Sequence, residues 1–283
     1  MPVSPSHPTG PERPPHSDTS PIGRAGRTDP TAPVDPTEPS RPVDPTEQTG
    51  LTEPSDPDSP AARAPAAPAH RGTDALLSHW THLLNSARDG ACHPSPLPYA
   101  RNLLARWAEP QRRYHTIDHL IHVLDRVDEL AHHADDPAAV RLAAWFHDAV
   151  YLPNRSTNEE RSARLAERAL SEAGVSEAKT AEVARLVRLT ISHDAGEGDH
   201  NGATLCDADL AILAAGPREY AAYAAAIREE YAFVPDDTFR AGRADVLRQL
   251  LALERLFKTP TGYGRWEHLA RRNLATELDL LSA

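Results

Sequence analysis

Cysteine is scarce: Cys92 and Cys206 are the only two in 283 residues, and they form no CxxC pair. That excludes a disulfide framework and a thiolate zinc finger, and it leads us to expect a cytoplasmic protein in a reducing compartment. No run of about 18 uncharged apolar residues occurs, so no helical membrane span is expected. The first residues are rich in Pro and Ser and lack the apolar core of a secretory signal. Basic excess is also missing. The formal net charge is −11, and so acidic a chain grips a nucleic-acid polymer poorly. There is no GxxxxGK[ST] loop, which argues against ATP-driven chemistry. No segment alternates polar and β-branched residues with a period of two, which removes the usual signature of a sheet.

Aromatic residues are absent from residues 1–70, which hold 18 of the 27 prolines. The same stretch carries ten acids and five bases, so it contributes −5 of the net charge and leaves −6 to the remainder. A segment of this composition cannot bury enough apolar surface to offset its conformational entropy. Residues 1–71 are therefore expected to be a disordered Pro/Thr/Asp/Glu-rich tail. Its imperfect repeat, Val34-Asp35-Pro36-Thr37-Glu38 and Val43-Asp44-Pro45-Thr46-Glu47, is too short to carry a helix or strand. Residues 72–283 suit one globular domain with a sizeable core.

Beyond residue 72 the apolar residues recur with helical spacing. Leu76, Leu77, Trp80, Leu83 and Leu84 make one stripe, with Asp74 able to cap it. Further helices are predicted from about Leu97 to Ala108, from a Thr116 cap to about Ala134, and from Pro137 to His147. They continue from Thr157 or Asn158 to Ala173, from Glu177 to His193, and from Leu205 to Ala214. The last three run from Pro217 to about Tyr231, from Asp236 or Asp237 to about Leu253, and from about Trp266 to Leu281. Ala195–Gly202, with three glycines, reads as a loop. The expected fold class is all-α, with nine or ten helices.

Imidazoles and carboxylates recur on successive helices. Trp145-Phe146-His147-Asp148 places a titratable pair inside an apolar run, where a lone carboxylate costs several kcal/mol to bury. His119 precedes His147 by 28 residues and Asp209 follows Asp148 by 61. That spread suits a bundle whose helices each project one or two ligands into a central pocket. A mixed N/O set of this kind suits Mn, Mg, Fe, Co, Ni or Zn.

The order His119, His147-Asp148, Asp209 resembles the HD-domain superfamily of metal-dependent phosphohydrolases. The stretches Tyr114-His115-x-x-x-His119, Trp145-Phe146-His147-Asp148-x-Val150-Tyr151, Asn158-Glu159-x-x-Ser162-Ala163, Thr190-x-x-His193, Asp207-Ala208-Asp209-Leu210, Ile227-Arg228-x-Glu230-Tyr231, Gly242-Arg243 and Ala270-Arg271-x-Asn273-Leu274 are similar to a bacterial subgroup described as predicted metal-dependent HD phosphohydrolases. The resemblance runs from about residue 75 onward and leaves the tail unexplained. It implies an HD-domain-like helical bundle that binds a divalent metal ion through His119, His147, Asp148 and Asp209. In the Asp-x-Asp element the second acid matches the ligand, so Asp209 is chosen over Asp207.

The activity implied is hydrolysis of a small phosphorylated substrate, a nucleotide among the options, through a metal-activated water. Asp148, Glu159 and His193 are the catalytic candidates; His115, Tyr114, Arg228 and Arg243 are the substrate-binding candidates. Guanidinium offers phosphate a bidentate fork, and Tyr114 can line a pocket. One metal is expected, because few histidines follow His147-Asp148. Neither a nucleic-acid polymer nor a membrane is expected as a partner. The alternative is a non-catalytic metal- and nucleotide-binding sensor domain, which would need the same ligands.

Overall fold

The computed structural model describes residues 72–90 and 92–282. The expected disordered tail lies outside the described residues. Ten α-helices follow in order: α1 Thr73–Ala87, α2 Leu97–Trp107, α3 Ile117–Leu130, α4 Pro137–Phe146, α5 Asn158–Glu172, α6 Glu177–Leu189, α7 His200–Leu210, α8 Pro217–Glu230, α9 Asp236–Ala252 and α10 Pro260–Ser282. Short 3₁₀ turns at Ala131–His133 and Ala211–Ala214 extend α3 and α7. No strand occurs among the described residues; Arg88 and Val175 form one isolated bridge. The all-α expectation therefore holds. No described helix is long and apolar enough to cross a membrane.

Local chemistry sets the helix boundaries. Asp136 begins α4 by accepting the Ala139 amide at 3.0 Å, and it also pairs with Lys179. Proline stands in the first turn of α4, where its missing N–H is harmless. Gly174 stops α5 at φ +86°, and a Cβ there would lie 2.2 Å from the His93 ring, so both backbone and space demand glycine. Two predicted starts fall late. The glycine-containing stretch expected as a loop ends at His200, because Asp199 caps α7 by accepting the Gly202 amide at 2.9 Å. The last helix begins at Pro260 rather than near Trp266; Gly262 and Gly264 within its first turns weakened the helical signal.

α4 is the centre of the fold. It packs against α1, α3, α5, α6 and α7, and Ala139, Val140, Leu142, Ala143, Ala144, Trp145 and Phe146 are all fully buried. Four alanines in ten residues let neighbouring helices approach closely. Trp80 meets Trp145 and Phe146 edge-on at 5.2 and 5.9 Å between centroids, an arrangement aromatic quadrupoles favour. This apolar surround fixes where α4 ends, and hence where His147 and Asp148 emerge. Leu142→Ala should lower unfolding free energy by about 2–5 kcal/mol in a denaturant titration. A loss under about 1 kcal/mol would mean that α4 is less tightly enclosed than this packing indicates.

Candidate metal centre

Three helices and one turn deliver the cluster. His119 lies in the first turn of α3, His147 and Asp148 follow the last residue of α4, and Asp209 lies in the last turn of α7. His119, His147 and Asp209 place one ligand atom each within 4.8 Å of one another, and the group could hold a metal ion. The His119 Nε2–Asp209 Oδ1 distance is 3.1 Å, and the His147 Nε2–Asp209 Oδ1 distance is 3.6 Å. Asp148 Oδ2 stands 3.3 Å from His147 Nε2 and 3.9 Å from His119 Nε2. It borders that group of three without belonging to it.

The imidazoles are oriented as ligands require. His147 Nδ1 donates to the Ala144 carbonyl at 2.8 Å, which turns Nε2 toward the cluster. The two Nε2 atoms are 3.3 Å apart, so without a cation one must carry a proton. Burial pushes the His147 pKa down, but the Asp148 and Asp209 carboxylates overcome it and lift the value to about 9. Burial and the neighbouring imidazolium hold His119 below its ordinary value, despite its hydrogen bond to Asp209. Burial opposes ionisation of Asp148 and Asp209 as well, yet the histidines hold both below the carboxylate range. The cluster therefore recruits positive charge, and a mixed N/O donor set with two carboxylates fits a divalent cation.

Asp207 and Asp209 are cleanly separated. Asp207 is fully buried and accepts the Lys258 amide at 2.7 Å, the Thr259 amide at 2.8 Å and the Thr259 hydroxyl at 2.7 Å. It fixes the α9–α10 turn and faces away from the imidazoles. Burial raises its pKa to about 6, against the pull of those hydrogen bonds.

The other expected site residues divide. Tyr114 belongs: its ring is 4.7 Å from His119 and 4.9 Å from His115. His115 belongs too. Its Nδ1 donates to Glu230 Oε2 at 2.7 Å, and its Nε2 is 3.9 Å from Asp148 Oδ2. His193 lies behind the cluster, with Nε2 2.8 Å from Asp209 Oδ2. It thereby steers Asp209 Oδ1 toward the imidazoles, and it does so at φ +50°, a backbone region that costs a non-glycine residue roughly 1 kcal/mol. Glu159 is buried in the first turn of α5 and is not one of the compact group.

Two arginines expected at the site are elsewhere. Arg228 clamps the α8–α9 turn through Asp236, the Tyr231 and Val234 carbonyls and the Phe239 ring. Arg243 is 1% exposed and holds Glu277 at 2.8 and 3.0 Å and the Tyr223 hydroxyl at 3.3 Å. In both a nearer carboxylate takes the guanidinium, joined at Arg228 by two carbonyls, while Arg243 Nη1 is buried without a hydrogen-bond partner.

A pocket of about 230 Å³ opens over His119 and Asp209, with Tyr114, His122, Arg126 and Trp266 in its walls. Arg126 was not among the residues expected at the site, although it stands seven after His119 on the same helical face. Two further residues build the site from behind, and spacing alone did not mark them. Glu230 Oε1 accepts three consecutive amides, from Arg113, Tyr114 and His115, at 2.7, 2.8 and 3.0 Å. Its Oε2 accepts the Tyr151 hydroxyl at 3.0 Å. The Arg112 guanidinium donates to the His115 and Asp148 carbonyls at 2.9 and 2.8 Å, tying the α3 entry to the α4 exit. It stacks between the Trp107 and Tyr151 rings.

Comparison of the chain with family models, with curated proteins and with solved structures gave no match.

Burial pushes the Glu230 pKa up, but His115 and the amides bring it to about 2, against an ordinary 4.5. A depressed carboxylate stabilises the fold fully above pH 4.5 and loses that contribution as pH falls toward 2. Glu230→Gln should therefore cost about 3 kcal/mol at pH 7 and much less near pH 3, read by urea unfolding at both. An equal cost at the two pH values would show that its charge is immaterial.

Proposed function

We propose that this chain is a metal-dependent phosphohydrolase of the HD-domain type, acting on a small phosphorylated molecule. The observation that carries the reading is the convergence of His119, His147 and Asp209 in one buried group, with Asp148 beside it. Their order in the sequence is the one the HD-domain resemblance implies. His119, His147, Asp148 and Asp209 would hold the divalent ion. When bound, such an ion supplies Lewis acidity toward a phosphoryl oxygen and lowers the pKa of water.

The protein's own residues divide the remaining work. His147 is locked in the tautomer that presents Nε2, and His193 fixes the rotation of Asp209. The Tyr114 ring packs on His119 and forms part of the pocket wall, leaving its hydroxyl to meet a phosphoryl oxygen. His115 is backed by Glu230 in the manner of a carboxylate-oriented base, with Nε2 on the Asp148 side. From there it can hand a proton to the departing oxygen. The pocket, about 230 Å³, is of a size to take a small phosphorylated group. Asp148 Oδ2 stands 3.3 Å from His147 Nε2 and 3.9 Å from His115 Nε2, which suits it to orient the attacking water.

Elemental analysis of the purified chain should find about one Mn, Mg, Fe, Co, Ni or Zn per molecule. Phosphate release from a panel of nucleotides and phosphomonoesters should depend on that metal. His147→Ala should lose both metal and turnover, with activity falling at least about 100-fold. Asp209→Asn should impair metal binding more than Asp207→Asn, whose effect is on stability. Metal retained in His147→Ala would refute the ligand set. Metal bound without turnover across the panel would favour a sensor domain that binds its ligand and does not hydrolyse it.

A further inference from the structure

The pocket extends along α3 away from the cluster. His119, His122 and Arg126 fall at i, i+3 and i+7, and all three line it. Seven residues of helix place the Arg126 backbone about 10 Å from that of His119 along the axis. The near end of this track holds the reacting group, on the reading proposed above. The far end is a separate question.

Charge at that end is uneven. Arg126 Nη1 is 2.5 Å from Glu129 Oε2, and Arg265 pairs with the same carboxylate. One carboxylate thus serves two guanidinium groups, so neither has a carboxylate of its own. The Trp266 ring lies 5.9 Å from the Arg126 Cζ and limits its excursion. Glu219 also lines the pocket from the first turn of α8, and its charge opposes an anion there, weakened by water as the exposed guanidinium charges are.

We propose that Arg126 is a specificity-determining residue that binds a second anionic group on the substrate. The substrate class is then a small phosphorylated compound with a further phosphate or carboxylate about two helical turns from the reacting phosphoryl. This rests on the hydrolase reading for the identity of the near end only.

Two inert phosphonates test it by calorimetry on the full chain, once with Mn²⁺ and once in EDTA. Hexane bisphosphonate, charged at both ends, should bind roughly tenfold more tightly than hexylphosphonate, the margin one charge-assisted fork provides. R126Q should erase that preference and leave hexylphosphonate unchanged. E219Q should tighten the bisphosphonate about twofold. Equal affinity of the two probes in the parent chain, no binding of either, or a preference that survives R126Q would each overturn the proposal. Weaker binding in E219Q would do so too, since it would mark the far end as a cation site. A bisphosphonate preference that depends on Arg126, in a chain that releases no phosphate from any substrate, would sink the hydrolase reading while leaving this subsite standing.

Discussion

Burial of charge is the constraint on which the site depends. Asp148 and Asp209 are both held ionised in an interior whose walls include Trp107 and Tyr114. A proton on His147 balances one of them and leaves the other uncompensated. Leaving such a charge unbalanced costs several kcal/mol, so the rest of the fold must either supply a cation or supply many hydrogen bonds. Hydrogen bonds serve two of the buried carboxylates, and a third stands where a cation could serve it. Asp207 and Glu230 are surrounded by backbone amides and hydroxyls and need no ion. Asp209 receives imidazoles alone and remains a site.

The same contrast explains the division between groups that face the pocket and groups that hold them. Arg112 and Glu230 are ionised side chains at most 5% exposed, and neither points into the pocket. Each joins segments distant in sequence through backbone contacts, which are less variable in geometry than contacts between flexible side chains. The segment from Arg113 to His115 has no helix of its own to define it. Three amides on one carboxylate oxygen give it a fixed shape, and His119 begins its helix from that fixed point.

Much of the architecture was legible in the sequence because helical burial leaves a period. The stripe on α1 emerged with Trp80 and Leu84 fully buried, and Thr116 stands before α3, although its side chain makes no capping hydrogen bond. The starts of α7 and α10 were not legible, since glycine lowers helical propensity locally while a distant carboxylate or a capping aspartate restores the helix. At the site, His119, His147 and Asp209 were chosen through the HD-domain resemblance, while the residues alone showed only imidazoles and carboxylates recurring on successive helices. Arg228 and Arg243 could not be placed, because an arginine's partner is a matter of tertiary structure. Glu230 had no visible task for the same reason: its five hydrogen bonds come from four residues 79 to 117 positions away.

That separation has a kinetic consequence. A loop of more than a hundred residues must close before the α3 entry acquires its shape, and such closures come late and slowly in folding. During synthesis His119, His147 and Asp209 all leave the ribosome before Glu230 does. For that interval the nascent chain carries every residue of the compact group without the brace that arranges them. A metal captured early would meet flexible, competing donors, and correct loading would have to wait until α8 is complete.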